Sequence, residues 1–131
     1  MDIKEKIAII HNLMGVKKFT QAIINCHKLI KLNPNISYLY NLCGMAYQGN
    51  NQIEKSIESF NLALHYDPEN LAAMNNLANS YKALNHNDKA EEIYKKILKK
   101  DRAKFERAAK TCPVSLSLNS DLVKVINFIY Q

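Results

Sequence analysis

The feature that most constrains the fold of this chain is a repeat with a period of 34 residues. Pro34 and Pro68 are one period apart, and the segments before them align with each other and with a third segment that begins at Leu71. Aligned positions keep a small residue, followed at helical spacing by a larger apolar one. The small residues are Ala22, Ser56 and Ala90, and the larger ones are Cys26, Phe60 and Tyr94. This pattern is typical of antiparallel helix pairs and predicts an all-α helical-repeat solenoid.

The apolar spacing and the turn residues predict six helices, with Asn and Gly at the turns. We expect them over residues 3–15 and 19–32, 37–49 and 53–66, and 71–83 and 87–100. Arg102 stands where the earlier pairs end in proline, so we expect the sixth helix to continue through "KKDRAKFERAAK" until Thr111, Cys112 and Pro113 stop it.

The second segment carries the clearest resemblance to a known family. Its matching residues are Tyr40, Gly44, Tyr47, Phe60, Ala63 and Pro68. The third segment matches at Leu77, Ala78, Tyr81, Ala90, Tyr94 and Ile97, and the first at Phe19, Ala22 and Pro34. On these residues the chain resembles the tetratricopeptide (TPR) family, in which an aromatic, a small and a proline position recur at this period.

The resemblance implies a domain organisation. A TPR domain over residues 3–104 would comprise the helix-turn-helix repeats 3–36, 37–70 and 71–104, stacked as a right-handed superhelix whose concave surface is lined by the first helix of each repeat. Residues 105–131 would form a C-terminal helical extension or capping segment.

The resemblance also implies which residues line the concave groove. They are Lys4, Ile7, His11, Met14, Tyr38, Asn41, Met45, Gln48, Ala72, Asn75, Asn79 and Lys82. An asparagine side chain offers one acceptor and two donors, so we expect Asn41, Asn75 and Asn79 to bind the backbone of an extended peptide. Tyr38 and Met45 are expected to supply apolar contacts.

Two specialised versions of the family are relevant to the groove. One binds chaperone C-termini through a carboxylate clamp of Lys, Asn and Arg. The matching positions here are Ile7, His11, Leu42, Ala72 and Asn76, so we expect no chaperone-tail clamp. The run from Asn75 to Lys82 instead resembles the Asn-lined repeats in front of sugar- or sulfate-transferring enzymes, where a separate domain performs the chemistry.

The net charge of +6 is concentrated in one segment. Basic residues dominate between Lys95 and Lys110, against only Asp101 and Glu106. A basic C-terminal end complements the helix dipole, so we interpret the segment as a solvated helix. Binding of an acidic partner or of nucleic acid is the alternative, and nucleic acid is disfavoured because Phe105 is the only aromatic residue there that could stack on bases.

The sequence offers little support for catalysis. It has no phosphate-binding glycine loop, no HExxH and no GxSxG, and its histidines are scattered. We therefore expect no enzyme activity, cofactor or metal site. Cys26 and Cys43 fall at core positions and are expected to be buried and inert, whereas Cys112 lies in the tail. The absence of a membrane-spanning run and of a basic signal-like start predicts a soluble, cytoplasmic protein.

The end of the chain, "LVKVINFIY", is almost entirely apolar and is expected to form a short helix that must be buried. Capping of the third repeat, a homo-oligomer contact through residues 120–130, insertion into the groove and a remnant of a shortened product are the alternatives. The sequence as a whole predicts a non-catalytic protein-protein interaction module whose groove receives a peptide segment. A scaffold that self-associates through the tail, and a substrate-selecting fragment of a larger transferase, are the other hypotheses.

Overall fold

The structure, a computed structural model, describes the backbone of residues 1–111 and the side chains of residues 1–103. This part of the chain contains six helices and no strand. They are α1 (Ile3–Gly15), α2 (Phe19–Leu32), α3 (Ser37–Gly49), α4 (Ile53–Tyr66), α5 (Leu71–Ala83) and α6 (Asn87–Thr111). The predicted all-α class and three helix pairs are confirmed. The predicted continuation of the sixth helix is confirmed as well, since α6 extends to Thr111.

The turn inside each helix pair has the same backbone geometry in all three repeats. Lys17, Asn51 and Asn85 have φ angles of 63°, 61° and 62°, in the left-handed region. In the first turn the N–H of Lys17 donates to the Met14 carbonyl and that of Lys18 to the Leu13 carbonyl. These two bonds form a Schellman motif, which satisfies carbonyl groups that the end of a helix leaves without partners.

Other helix ends are fixed by side chains. The Asp2 carboxylate accepts from the Glu5 N–H at the start of α1, at 2.8 Å. The Asn70 side-chain oxygen accepts from the Ala73 N–H at the start of α5, at 3.1 Å, while its Nδ2 donates to Ser37 Oγ. Ser37 in turn donates to the Ala63 carbonyl at the end of α4. These bonds join the starts of α3 and α5 to the end of α4, so the first helices of the second and third pairs are held in register.

Apolar packing joins successive pairs. One buried cluster combines residues of α1 and α2 with residues of α3, and includes Ile10, Cys26, Leu29, Leu39 and Leu42. A second cluster combines Tyr40 of α3, Ala63 of α4 and Ala73 of α5. Burial of both faces of the middle pair explains why one pair is not enough for stability, because an isolated pair would leave one of these faces in water.

In the middle pair, α3 and α4 come close together at Gly44 and Phe60. The fully buried Phe60 ring lies against Gly44, and a β-carbon at Gly44 would sit 2.6 Å from Phe60 Cδ1 and 2.9 Å from Cζ. Such separations are shorter than van der Waals contact, so glycine is the residue that this position admits. Gly44 and Phe60 are therefore complementary parts of one contact between α3 and α4.

Met1–Ile93 forms one compact unit, and the remainder of α6 from Tyr94 belongs to another. The described helices include none that is both long and apolar enough to cross a membrane. The predicted tail helix, its alternative contacts through residues 120–130 and Cys112 lie outside the described residues.

Candidate functional site

The predicted groove residues all lie on α1, α3 and α5, and we call the surface they form the first-helix face. Their exposure varies. The exposed members are Lys4, His11, Tyr38, Met45, Ala72, Asn75, Asn79 and Lys82, the half-buried members are Ile7, Met14 and Gln48, and the one buried member is Asn41. Asn75 and Asn79 are thus exposed at the surface, whereas Asn41 is buried.

A hydrogen bond between His11 and Tyr38 joins the first repeat to the second. His11 Nε2 and Tyr38 Oη are 2.9 Å apart, and the two rings are tilted with centroids 6.5 Å apart. Tyr38 nevertheless stays 48% exposed. The histidine therefore orients the tyrosine ring, while nearly half of the Tyr38 surface stays exposed.

An asparagine pair joins the second repeat to the third. Asn76 Nδ2 donates to Asn41 Oδ1 at 3.0 Å. Asn41 Nδ2 is directed toward Met45 Sδ at 3.9 Å, and Met45 is 36% exposed. A thioether is a weak acceptor, so the Asn41 oxygen has a strong partner and its N–H a weak one.

A series of hydrogen bonds between side chains fixes the orientation of Gln48. Gln48 Nε2 donates to Ser80 Oγ at 3.1 Å, and Ser80 Oγ lies 2.9 Å from Ser56 Oγ. Ser56 uses its only hydroxyl proton to donate to the Ile53 carbonyl at 2.6 Å, so Ser80 must be the donor in the serine pair. Both serines are fully buried. These hydrogen bonds hold one end of the Gln48 side-chain amide toward the interior.

Charge on the first-helix face is confined to two lysines among the groove residues. Lys4 and Lys82 are the charged groove residues, and they lie near the start of α1 and the end of α5 respectively. The middle of the face, around Asn41, Met45 and Asn75, carries amide and thioether groups. The chemistry available there is hydrogen bonding and apolar contact, with no charged group among these side chains.

Sequence reasoning missed three residues that shape this face: Asn76, Ser80 and Ser56. In the sequence, Asn76 stands at a position of the chaperone clamp and Ser56 at a small-residue position of the repeat. The signal for Ser56 was present, because a hydroxyl at a buried small-residue position needs a partner. The partner, Ser80, could be identified only once α4 and α5 were placed beside each other.

Two hydrogen-bonded pairs of titratable groups lie outside the predicted groove residues: Cys26 with Cys43, and His27 with Tyr47. A hydrogen bond to Cys43 and burial raise the pKa of the Cys26 thiol, and the same hydrogen bond lowers the pKa of the Cys43 thiol. Both thiols are buried, in agreement with their predicted core positions. His27 Nε2 lies 2.8 Å from Tyr47 Oη, and burial raises the pKa of that tyrosine. Among the described residues, no three His, Cys, Asp or Glu side chains are grouped in a way that could hold a metal ion.

An apolar cavity of about 250 Å³ lies elsewhere, between α1 and α2. Its walls include Ile9, Ile10, Leu29 and Leu32, and Leu32 is 70% exposed. None of the residues that line the cavity is a predicted groove residue.

Comparison with known proteins agrees with this architecture. The sequence model of the tetratricopeptide repeat matches residues 47–111. The uncharacterized protein ycf37 of Porphyra purpurea is 31% identical over 120 residues, covering 85% of this chain and 68% of that protein. The human protein O-mannosyl-transferase TMTC3 is 29% identical over 100 residues, covering 74% of this chain. The matched part is only 11% of TMTC3.

Solved structures show the same fold. MamA (residues 41 to the end) from Desulfovibrio magneticus RS-1 superposes with a TM-score of 0.71 at 24% identity, covering 75% of this chain and 55% of that one. The second TPR of Spaghetti (RPAP3), bound to the HSP90 peptide SRMEEVD, superposes with a TM-score of 0.67 at 16% identity, covering 72% of this chain and 87% of that one. The repeat period, the three helix pairs and these matches together show that the chain belongs to the tetratricopeptide-repeat family.

Proposed function

We propose that this protein is a non-catalytic interaction module whose first-helix face forms a concave groove that binds an extended peptide segment of a partner protein. The observation that carries the proposal is the arrangement of that face. Exposed groups that can contact a ligand, such as Tyr38 and Asn75, lie beside side chains that hydrogen bonds hold across the repeats. A pre-formed surface of this kind binds peptides with little ordering cost.

The structural relatives support this proposal in general terms. One of them, RPAP3, is bound to a peptide of HSP90 in its solved structure. The clamp positions of this chain nevertheless lack the cations that a chaperone carboxylate would need. Leu42 is buried, and Asn76 is bonded to Asn41. We therefore propose a partner other than a chaperone tail.

We propose the cytoplasm as the place of this function. Cys26 and Cys43 are free thiols in the apolar core, next to each other in the same cluster. Unpaired cysteines are usual in a reducing compartment and uncommon in small secreted domains.

The test begins with a random peptide library displayed on phage and selected against the immobilised full chain. The affinities of the synthetic peptides are then measured by fluorescence polarisation for wild type and for the double variant Asn75→Ala/Asn79→Ala. We expect at least roughly a tenfold loss of affinity in that variant, because each exposed amide contributes about 1 kcal/mol of hydrogen bonding. Asn61→Ala is the matched control, since Asn61 is exposed on α4, a second helix.

Two results would contradict the proposal. One is that selection yields no peptide with an affinity better than about 1 mM, the level at which binding is too weak for a dedicated module. The other is that the selected peptides bind the Asn75→Ala/Asn79→Ala variant as tightly as they bind wild type. Both variants must keep the wild-type circular dichroism spectrum.

One comparison favours a second candidate function. TMTC3 carries the name O-mannosyl-transferase, and its similarity to this chain covers 11% of its length. A repeat segment that selects substrates for a transferase is therefore the alternative. A catalytic domain encoded in the same reading frame, or a stable complex with a separately encoded transferase, would support it over a free-standing module.

A further inference from the structure

Two thiols lie in contact at the junction between the first and second helix pairs. Cys26 belongs to α2 and Cys43 to α3, and each is 1% exposed within one buried apolar cluster. A hydrogen bond joins the two side chains, and neither cysteine is in a disulfide. The fold therefore places two oxidisable sulfur atoms side by side, across the surface on which one helix pair packs on the next.

Packing alone does not require sulfur at these two positions. One repeat period later the equivalent positions are Phe60 and Leu77, which are 0% and 5% exposed. Hydrocarbon side chains thus fill these positions at the second junction, where burial of apolar volume is sufficient. The first junction has the same burial, but its two thiols add a chemistry that hydrocarbon side chains do not have.

The surroundings give the two thiols different roles. The hydrogen bond from Cys26 lowers the pKa of the Cys43 thiol, burial opposes this effect, and the Ser59 hydroxyl lowers the pKa further. The hydrogen bond to Cys43 and burial raise the pKa of the Cys26 thiol. Cys43 is therefore the member of the pair that ionises first. A thiolate beside a second thiol is the arrangement from which an intramolecular disulfide forms.

We propose that Cys26 and Cys43 form a redox-active dithiol site, which a low-molecular-weight disulfide such as oxidised glutathione converts into a disulfide that links α2 to α3. The inference concerns the junction between two repeats and does not depend on peptide binding by the first-helix face. In the cytoplasm that we propose for the protein, the dithiol is the resting form, and the disulfide forms when oxidised glutathione accumulates.

The reaction consists of two thiol–disulfide exchange steps. The Cys43 thiolate attacks one sulfur of oxidised glutathione, the S–S bond breaks, and the first glutathione leaves as a thiolate. Cys26 then loses its proton and attacks the Cys43 sulfur, which expels the second glutathione. The protein gives up two electrons and the two thiol protons. Both are recovered in the two molecules of reduced glutathione, so atoms and electrons balance.

Access to the buried pair comes from local opening. In the part of the chain that the structure describes, the first helix pair packs on the second mainly through α2 and α3. Separation of these two helices exposes both sulfur atoms together, and such a partial opening needs less free energy than global unfolding. The dithiol should therefore react more slowly than an exposed thiol, at a rate that depends on the opening.

The experiment uses the full chain with Cys112→Ser, because Cys112 is the third cysteine of the sequence. The folded protein is kept in buffers of increasing ratio of oxidised to reduced glutathione until its mass spectrum no longer changes. We expect a product that has lost the mass of two hydrogen atoms, whose Cys26–Cys43 linkage is located by peptide mapping and which dithiothreitol reverses. The matched controls Cys26→Ala and Cys43→Ala, each made in the same background, should give only the mixed disulfide with glutathione.

The same titration in concentrated urea provides the reference for the unfolded chain. The folded junction holds the two sulfur atoms together, so we expect the equilibrium constant for disulfide formation to be larger in the folded protein by about tenfold or more. By linkage, the oxidised protein should then unfold at a higher urea concentration than the reduced protein. These comparisons need no substitution in the core, so they hold even if the alanine variants do not fold. An equal or smaller constant in the folded protein, or core thiols that stay reduced or give only mixed disulfides, would overturn the proposal.

Discussion

The contact between Gly44 and Phe60 leads to a prediction whose size can be worked out from the structure. In an open part of a helix, replacing glycine by alanine stabilises the fold by about 1 kcal/mol, because alanine loses less conformational freedom. At Gly44 the added methyl group would lie 2.6 Å from Phe60 Cδ1, roughly 1 Å inside a normal carbon–carbon contact. Phe60 is fully buried, so its ring cannot move into solvent. Overpacking of this kind costs about 1–3 kcal/mol or more, and we expect Gly44→Ala to be destabilising by about 2 kcal/mol.

Gly15 provides the matched control. It ends α1, and a β-carbon built there has no atom within 4 Å. Gly15→Ala should therefore be neutral or stabilising by up to about 1 kcal/mol. Gly49→Ala should lie between the two, because its β-carbon would approach the ring of Phe19, which is only half-buried and can shift.

The free energy of unfolding is measured from urea titrations at 25 °C, followed by circular dichroism at 222 nm. The packing argument is supported if the free energy of unfolding is highest for Gly15→Ala, lower for Gly49→Ala and lowest for Gly44→Ala. If Gly44→Ala and Gly15→Ala unfold at the same urea concentration, Phe60 does not restrict the size of the residue at position 44, and the packing argument is refuted.

Two further predictions concern stability. Lys17 has a φ of 63°, at a position where glycine is preferred. Lys17→Gly should therefore raise the free energy of unfolding by about 1 kcal/mol, whereas Lys17→Ala should give no gain. Equal urea midpoints for the two variants would contradict the strain argument. Ser56→Ala should lower the free energy of unfolding by about 1–3 kcal/mol, because the buried Ser80 hydroxyl loses its acceptor. The double variant Ser56→Ala/Ser80→Ala should recover part of that loss in a double-mutant cycle. Strictly additive losses would refute the hydrogen bond between the two serines.

The helices were predictable because the signals that define them are local. The spacing of apolar residues sets the period of each helix, and the residues at the turns set the ends, so the predicted bounds of α1 to α5 agree with the structure. The lack of proline at position 102 likewise predicted that α6 continues past residue 100. These properties depend on residues within one or two helical turns of each other, which a single sequence displays directly.

The first-helix face could be predicted only as a set of positions. The repeat register places Asn41 and Asn75 at equivalent positions, and on that basis the two should behave alike. In the structure Asn41 is buried and bonded to Asn76, whereas Asn75 is exposed. The burial of Asn41 and its bond to Asn76 arise from the packing of the third repeat beside the second, which brings α5 next to α3.

The sequence by itself determined the helical class, the repeat period, the helix ends and the helix faces that could meet a partner. Only the tertiary structure decided which polar groups on those faces are already bonded, as in the contacts of Asn76 with Asn41 and of Gln48 with Ser80. These partners are more than thirty residues apart in the chain, and a hydrogen bond requires atoms to be placed to within a few tenths of an ångström. Periodicity fixes which face a side chain occupies, but the packing of one helix pair on the next fixes the distances between side chains, and with them the groups left to bind a ligand.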